Sequence, residues 1–390
     1  MSSRAHESAA GMCSQRRMDG SDRANVVIVG AGPAGLGVAR VLQDLGVPGV
    51  RIFERERIGA SFCRWPQEMH FISPSFPANA FGLTDLNAIG FDSSPALMLK
   101  REHPSGAEYA QYLARTAEAF DLNVTTGVDV RAIGRDGDEL VLDTSTGPVR
   151  TRFVIWAAGQ FQYPDTRDIP GAEYGLHSSD VRRWADQDGD EILVVGGYES
   201  GIDAAVGLAA AGKRVTVLGR TPVWESDDPD PSVALAPYTR ARLDRALANG
   251  SIRLIGDADV IGLDRPNGVT RVFAADGRSW SSEAAPILAT GYAGSTQLIA
   301  ACFEFDEAGC PCVTDKDEST RLSGLFLVGP ELAHRGQQFC FIYKFRQRFA
   351  VVAQAIAERL GLDTSALAIY RDHNMFLDDL RCCDAADCCS

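Results

Sequence analysis

Cysteine has the most reactive side chain in this chain, and four of the ten cysteines lie in the closing sequence RCCDAADCCS. They form two vicinal pairs, Cys382 with Cys383 and Cys388 with Cys389. Vicinal thiols can form a strained, easily reduced disulfide or chelate a soft metal ion. We take all four as candidate catalytic residues without assigning a metal site. A metal-binding or unstructured tail is the alternative.

Two further side chains are catalytic candidates: Cys63 in the sequence ASFCRW, and His334, which precedes a long helix predicted within 333–361. A lone thiol is more often a small buried hydrophobic residue than a reactive group. Cys340 is accordingly predicted to pack within an aromatic helical turn. Cys310 and Cys312 are predicted to be structural.

The elements that could serve these thiols begin with NVVIVGAGPAGLGVARVLQDLGV, residues 25–47. Its β-branched run predicts a buried parallel strand, and three glycines then lead into an amphipathic helix. The next strand ends at an acid placed to bind ribose hydroxyls, which together with the glycines predicts a dinucleotide site. The predicted binding residues are Gly30, Gly32, Pro33, Ala34, Gly35, Glu54 and Arg55.

A second strand, glycine turn, helix and strand follow in residues 191–220. Tyr198 stands where the middle glycine is expected, and we interpret the following strand as ending at Arg220 instead of an acid. A guanidinium there can pair with the 2′-phosphate of NADPH, so we favour NADPH over NADH; a solvated arginine is the alternative. The predicted binding residues are Gly196, Gly197, Ser200, Gly201 and Arg220. Two such sites predict FAD plus a nicotinamide nucleotide.

Two apolar segments that end in small-residue turns divide the chain into domains. Residues 153–164 contain Gly159, and residues 285–294 contain Thr290 and Gly291, all three predicted to border a cofactor. We predict an α/β fold of two Rossmann-like three-layer domains, with the FAD domain discontinuous and the NAD(P)H domain inserted into it. The predicted ranges are 1–23 (disordered extension), 24–165 and 285–362 (FAD domain), 166–284 (NAD(P)H domain) and 363–390 (tail).

Across residues 24–360 the chain resembles the flavoproteins with two dinucleotide-binding domains. It is similar to class B flavin monooxygenases in LATGY (288–292), in Ser200-Gly201 and in HSSDVRRW (177–184). It is similar to the bacillithiol-disulfide-reductase relatives of thioredoxin reductase in length, in Tyr198 and in PSVALAPYTRARL (231–243). The usual active-site cysteine pairs of disulfide reductases are missing. The resemblance implies that Gly329 and Glu331 lie at the flavin ribityl site, although Pro330 replaces the usual Asp.

The composition limits the classes of partner that we expect this protein to bind. A net charge of −14 disfavours nucleic acids and anionic membranes, and there is neither a secretory leader nor a long apolar run. We therefore expect a cytoplasmic protein that acts on a small molecule, and the sequence leaves a homodimer open. The poorly patterned segment 64–106 is either a substrate-facing insertion or structural packing.

The combined pattern predicts an FAD-dependent NAD(P)H oxidoreductase. Hydride passes from NAD(P)H to the flavin and then to an acceptor, which we take as a disulfide or a thiol-bound species. One alternative is a class B-like monooxygenase that oxygenates nitrogen or sulfur in a small metabolite. Another is a non-catalytic flavin-binding redox or metal sensor.

Overall fold

The computed structural model describes residues 23–77, 83–166 and 169–383. Its strands, in chain order, are β1 (Arg23–Val29), β2 (Val50–Glu54), β3 (Val124–Thr126), β4 (Val130–Asp136), β5 (Glu139–Thr144), β6 (Val149–Trp156), β7 (Leu176–His177), β8 (Glu191–Val195), β9 (Arg214–Leu218), β10 (Ile252–Ile255), β11 (Val260–Asp264), β12 (Thr270–Ala274), β13 (Ser279–Ser282), β14 (Ile287–Leu288), β15 (Glu304–Phe305), β16 (Pro311–Cys312), β17 (Leu325–Leu327), β18 (Ala333–His334) and β19 (Gln337–Gln338). Its helices are α1 (Pro33–Asp44), α2 (Ala60–Cys63), α3 (Pro95–Leu99), α4 (Gly106–Ala119), α5 (Glu199–Ala210), α6 (Pro237–Ala248), α7 (Ile342–Phe345), α8 (Phe349–Arg359) and α9 (Ala368–Asp372).

The first sheet has the order β3-β2-β1-β6-β5-β4, and the successive strands β3, β2, β1 and β6 are parallel. The first half of β6 pairs with β5, which runs antiparallel to it, and its second half pairs with β17, which runs parallel. Val26, Val27 and Ile28 are fully buried, as expected for the β-branched centre of a sheet covered on both faces. Because β17 follows the second sheet in the chain, the first domain is discontinuous, as predicted.

The second sheet is parallel throughout, in the order β10-β9-β8-β14-β7. Its strand β14 lies between β8 and β7, so the chain leaves this sheet only after Leu288. The predicted return to the first domain at residue 285 is therefore too early. An apolar strand followed by a small-residue turn looks alike in both domains, and only the pairing partner distinguishes them.

The long helix predicted before the C-terminus is interrupted. Residues 333–338 form the β18–β19 hairpin, and a short 3-10 turn over Arg346–Arg348 separates α7 from α8. Helix α8 packs on α1, where a Cβ on Gly37 would lie within 3 Å of three ring atoms of Phe349. This packing holds the C-terminal segment against the helix of the first glycine turn.

Some predictions fall outside what the structure describes. Residues 1–22, with the predicted extension and Cys13, are not described, and neither are Cys388 and Cys389. Cys382 and Cys383 close a 3-10 turn over Leu380–Cys383, but their side chains are not described. Among the described residues, no helix is long and apolar enough to cross a membrane.

Candidate active site

The first glycine turn joins β1 to α1, and two of its glycines are required by close packing. Gly30 has φ +104°, and a Cβ there would lie 2.5 Å from the carbonyl oxygen of Ala157. A Cβ on Gly35 would lie 1.9 Å from the carbonyl oxygen of Gly30. A Cβ on Gly32 would meet no atom within 4 Å. Gly32 thus leaves space free for a ligand beside the helix.

Glu54, at the carboxyl end of β2, is fixed beside this turn. Its Oε2 accepts a hydrogen bond of 2.9 Å from the backbone N–H of Ala31, and its Oε1 accepts one of 2.8 Å from Glu56. The turn and the strand end therefore hold this carboxylate next to the start of α1, where a ribose would lie below a pyrophosphate.

A cavity of about 390 Å³ runs from this turn to the second domain. No side chain caps α1 at Gly32 or α5 at Tyr198, so free N–H groups remain at both helix starts, which suits phosphate oxygens. The residues that line the cavity include the predicted Gly30, Gly32, Pro33, Ala34, Glu54, Arg55, Gly159 and Ser200, together with Phe62, Trp65, Phe71, Glu199, Tyr292 and Cys340.

The second glycine turn repeats the first with the same hydrogen-bond register. The N–H of Gly196 donates to the carbonyl of Leu218 over 2.9 Å, as the N–H of Gly30 donates to that of Phe53 over 2.8 Å. The residue that matches Glu54 is therefore Gly219, and Arg220 matches Arg55. The sequence-based assignment of Arg220 to the position of the acid is therefore wrong by one residue. The Arg220 side chain is exposed.

Residues 198–199 at the start of α5 are held by the segment that follows β9. The hydroxyl of Tyr198 donates to the carbonyl of Pro231. The carboxylate of Glu199 accepts hydrogen bonds of 2.6 Å from the N–H of Ala236 and 2.5 Å from the hydroxyl of Thr239. Burial raises the pKa of Glu199 to about 7. An ionisable group at the cavity wall therefore titrates near neutral pH.

Segment 64–106 both lines the cavity and takes part in structural packing. Its early residues line the cavity, and Phe71 packs against Phe62, Trp65 and Tyr109 with ring centroids 4.4 to 5.6 Å apart. It also contacts the second domain, since the N–H of Gln67 donates to the carbonyl of Arg182 over 2.9 Å. It is thus an aromatic wall of the cavity and part of the contact between the domains.

Cys63 and Cys340 differ in their position relative to the cavity. Cys63 ends α2 and is not among the residues that line the cavity. Cys340 is exposed, lines the cavity and lies 3.4 Å from the hydroxyl of Ser232 in the second domain. Its predicted packing is wrong because the chain turns at Phe341, before α7 begins. Aromatic neighbours in sequence gave no signal of that exposure.

His334 and Glu331 have structural partners away from the cavity. Nε2 of His334 lies 2.6 Å from Oδ1 of Asp317, which is fully buried and also accepts hydrogen bonds from Arg348. The Glu331 carboxylate accepts four hydrogen bonds of 2.6 to 3.0 Å from Ser295 and Thr296. Neither side chain is among the residues that line the cavity, and the hydrogen bonds of both are made within the protein. Gly329 (φ +115°) turns the chain beside Ala34.

Two basic residues that follow Cys340, Lys344 and Arg346, have different environments. Lys344 pairs with Asp230 of the second domain. Arg346 is instead buried and donates to the carbonyls of Thr84, Asp85 and Ala88, which anchors the segment that follows the aromatic wall.

Two of the three motifs that resemble monooxygenases, HSSDVRRW and LATGY, contact each other. Nε2 of His177 lies 3.1 Å from the carbonyl oxygen of Gly291, and its ring meets that of Tyr292 edge to face, with centroids 5.4 Å apart. Burial lowers the pKa of His177. Thr290 donates to the carbonyl of Asp165. Of these side chains, that of Tyr292 reaches the cavity.

The family model for pyridine nucleotide-disulphide oxidoreductases matches residues 27–329, which include both glycine turns. The chain belongs to this family. Bacilliredoxin reductase Bdr of Bacillus subtilis is 24% identical over 338 residues, which are 85% of this chain and 97% of that protein. A probable indole-3-pyruvate monooxygenase of Arabidopsis thaliana, YUCCA10, is 29% identical over 260 residues, 62% of this chain and 64% of its own length.

Solved structures share the fold of this chain. The bacillithiol disulfide reductase Bdr of Staphylococcus aureus has a TM-score of 0.70 at 20% identity, covering 87% of this chain and 99% of its own. A flavin-containing monooxygenase from Stenotrophomonas maltophilia has a TM-score of 0.68 at 19% identity, covering 87% and 99%. At these identities the likeness shows the fold, which is the predicted pair of dinucleotide-binding domains.

This pyridine nucleotide-disulphide oxidoreductase is an enzyme that uses FAD and a pyridine nucleotide, which confirms the sequence-based prediction of its class. Its own residues fit an FAD: the start of α1 has no side-chain cap, Gly32 leaves open space, and Glu54 lies beside both.

Proposed function

We propose that this enzyme reduces a disulfide or thiol-bound acceptor with NADPH. For a disulfide, one NADPH and one proton yield NADP⁺ and two thiols. When bound, FAD supplies the two-electron carrier between nicotinamide and acceptor. The observation that carries the proposal is the shared cavity, which is bordered by the start of α1 in one domain and by the start of α5 in the other.

The residues of the first domain hold FAD. The free N–H groups at the start of α1 bind the pyrophosphate, Gly32 lets the backbone approach it, and the Glu54 carboxylate accepts hydrogen bonds from the ribose. The aromatic wall around Phe62 and Trp65 excludes water from the reacting end of the cavity.

The residues of the second domain favour NADPH over NADH. Gly219 matches Glu54 in register, so no carboxylate at that position repels a 2′-phosphate. The exposed guanidinium of Arg220 is the next residue, and it supplies the positive charge that a 2′-phosphate needs.

The acceptor approaches at Cys340. Among the cysteines whose side chains the structure describes, Cys340 is the one that lines the cavity. The similarity to bacilliredoxin reductase Bdr covers nearly the whole of that protein, which supports a disulfide-type acceptor. A cytoplasmic location and a homodimer remain predictions.

The test is anaerobic reduction of the FAD-loaded enzyme by NADPH and by NADH, followed by mixing with glutathione disulfide, cystine, bacillithiol disulfide or oxygen. We expect faster bleaching with NADPH, and reoxidation by a disulfide faster than by oxygen. Cys340→Ser should slow the disulfide step, whereas Cys63→Ser, the same change outside the cavity, should not. Rapid reoxidation by oxygen alone would contradict the proposal.

A monooxygenase is the second candidate, because contacts of His177 with Gly291 and Tyr292 join two of the three monooxygenase-like motifs, and Tyr292 lines the cavity. Incubation with ¹⁸O₂, NADPH and a panel of small amines and thioethers tests it. Incorporation of one labelled oxygen atom per NADPH consumed would favour this activity over the reductase.

A further inference from the structure

The second domain replaces the ribose acid of the first domain with an aromatic ring. In the first domain, Ala31 and Glu54 face each other, and the Glu54 carboxylate accepts from the Ala31 N–H over 2.9 Å. In the second domain the matching residues are Gly197 and Gly219, since Gly196 and Leu218 repeat the hydrogen bond of Gly30 and Phe53. Neither of these two glycines has a positive φ between +20° and +160°, so backbone conformation does not require them.

The indole of Trp224 requires them instead. A Cβ on Gly197 would lie 2.3 Å from Cζ3 of Trp224, and a Cβ on Gly219 would lie 2.6 Å from Cη2 and Cζ3 of the same ring. Trp224 is only 6% exposed, so its ring lies between these two backbones and not in solvent. The ring fills space that the side chains of Ala31 and Glu54 take in the first domain.

In the first domain this space is filled by protein side chains and not by the ligand. The ring thus forms part of the protein surface on which a nucleotide would lie. It does not occupy the volume of the nucleotide itself. The backbone that carries the ring is fixed, because Arg240 donates to the carbonyl of Trp224 and, over 2.9 Å, to that of Ser226.

We propose that Trp224 is a specificity-determining residue for the nicotinamide nucleotide. Because the ring fills the space that an acidic side chain would need, residue 219 must be glycine. The nucleotide-binding surface therefore carries no carboxylate to bind a 2′-hydroxyl or to repel a 2′-phosphate. The proposal rests on the assignment of NADPH to the second domain. It adds that grafting an acid at 219 fails while Trp224 is present.

The experiment is a double-mutant cycle of Gly219→Glu, Trp224→Ala and both together. Dissociation constants of NADP⁺ and NAD⁺ are measured by calorimetry on the FAD-loaded enzyme, with FAD content and thermal midpoint for each variant. We expect Gly219→Glu alone to lower the midpoint and weaken both nucleotides, because its Cβ meets the ring. The double variant should regain the midpoint relative to Gly219→Glu and shift the NADP⁺/NAD⁺ affinity ratio toward NAD⁺ by about ten-fold.

Trp184→Ala is the matched control, because Trp184 packs in the same way on Gly207 of α5, away from the glycine turn. It should lower the midpoint and leave the affinity ratio unchanged. If Trp224→Ala does not fold, Trp224→Leu takes its place in the cycle.

Two results would overturn the inference. One is a folded double variant with the wild-type affinity ratio, and the other is a Gly219→Glu single variant that shifts the ratio as far as the double variant does. Wild-type enzyme that binds neither nucleotide, or that NADPH does not reduce, would contradict the proposed function instead.

Discussion

The ammonium group of Lys344 lies 3.0 Å from Oδ1 of Asp230 and 2.7 Å from the hydroxyl of Ser232. This contact ties the segment beside the cavity in the first domain to the segment after β9 in the second. The thiol of Cys340 lies 3.4 Å from the same Ser232 hydroxyl, so this contact also helps to position the candidate thiol. Loss of this pair should therefore affect both stability and hydride transfer between the domains.

Lys344→Met should lower the free energy of unfolding at pH 7 by up to about 1 kcal/mol, because the pair is partly exposed. Burial tends to raise the pKa of Asp230, but hydrogen bonds from Ser232 and Lys344 outweigh it and lower the pKa below 3.8. The contribution of a depressed carboxyl pKa is present above the unfolded value and is lost as pH falls through the folded one. Urea unfolding at pH 7 and in acid should therefore show a smaller mutational effect in acid. Lys316→Met, which breaks a more exposed pair with Glu358, is the control and should change the rate of NADPH oxidation less.

Gly32→Ala should fold and lose FAD. A Cβ at this position meets no protein atom within 4 Å, so any cost arises from the ligand that lies there. We expect FAD affinity to fall by about ten-fold or more, with the thermal midpoint of the apoprotein unchanged. Gly134→Ala, in an equally open position of β4, should alter neither quantity. Unchanged FAD affinity in Gly32→Ala would place the cofactor elsewhere.

Glu199 should make stability depend on pH between about 4.5 and 7. Burial raises its pKa from 4.5 to about 7, so the native state holds a proton that the unfolded chain releases at lower pH. This contribution is fully present below the unfolded pKa and is lost as pH rises through the folded one, amounting to about 3 kcal/mol. Glu199→Gln should flatten this part of a pH series of chemical unfolding curves, and the exposed Glu225→Gln should not. Equal slopes in wild type and Glu199→Gln would rule out the raised pKa.

His334→Gln should cost stability without slowing hydride transfer. His334 contacts buried Asp317 and does not line the cavity, so its removal weakens a buried charge cluster. Asp317→Asn should cost more, about 3–5 kcal/mol, because Arg348 would then be left without its charge partner. Stopped-flow reduction by NADPH, normalised to FAD content, is the measurement. A large drop in that rate with unchanged stability would restore His334 as a catalytic residue.

The tail prediction stands apart from the described structure. The test replaces four cysteines with serine: Cys382, Cys383, Cys388 and Cys389. If these thiols relay electrons, the variant should show reduced disulfide turnover. If they chelate metal, it should no longer bind zinc or mercury. Turnover and metal binding equal to those of wild type would show that the tail has no role in either.

Much of the fold could be predicted from short stretches of the sequence. Gly30 and Gly35 are dictated by backbone packing within one turn, and the strand before them by a β-branched run, so both are visible in a short stretch of residues. The same holds for the second turn at Gly196 and Gly201. The family and the two cofactors follow from these patterns because a strand, a glycine turn and a helix start together make a phosphate site.

Only the tertiary structure decided which side chains reach the cavity and which distant residues share a space. Cys340 faces the cavity while Cys63 and His334 do not, because the C-terminal segment turns at Phe341 and Asp317 holds His334. Gly219, not Arg220, takes the acid's position, and Trp224 fills the gap beside it, because strand register and ring placement depend on chain segments that meet only after folding. The sequence by itself determined that two dinucleotides bind, and the packing between distant segments decided what surrounds them.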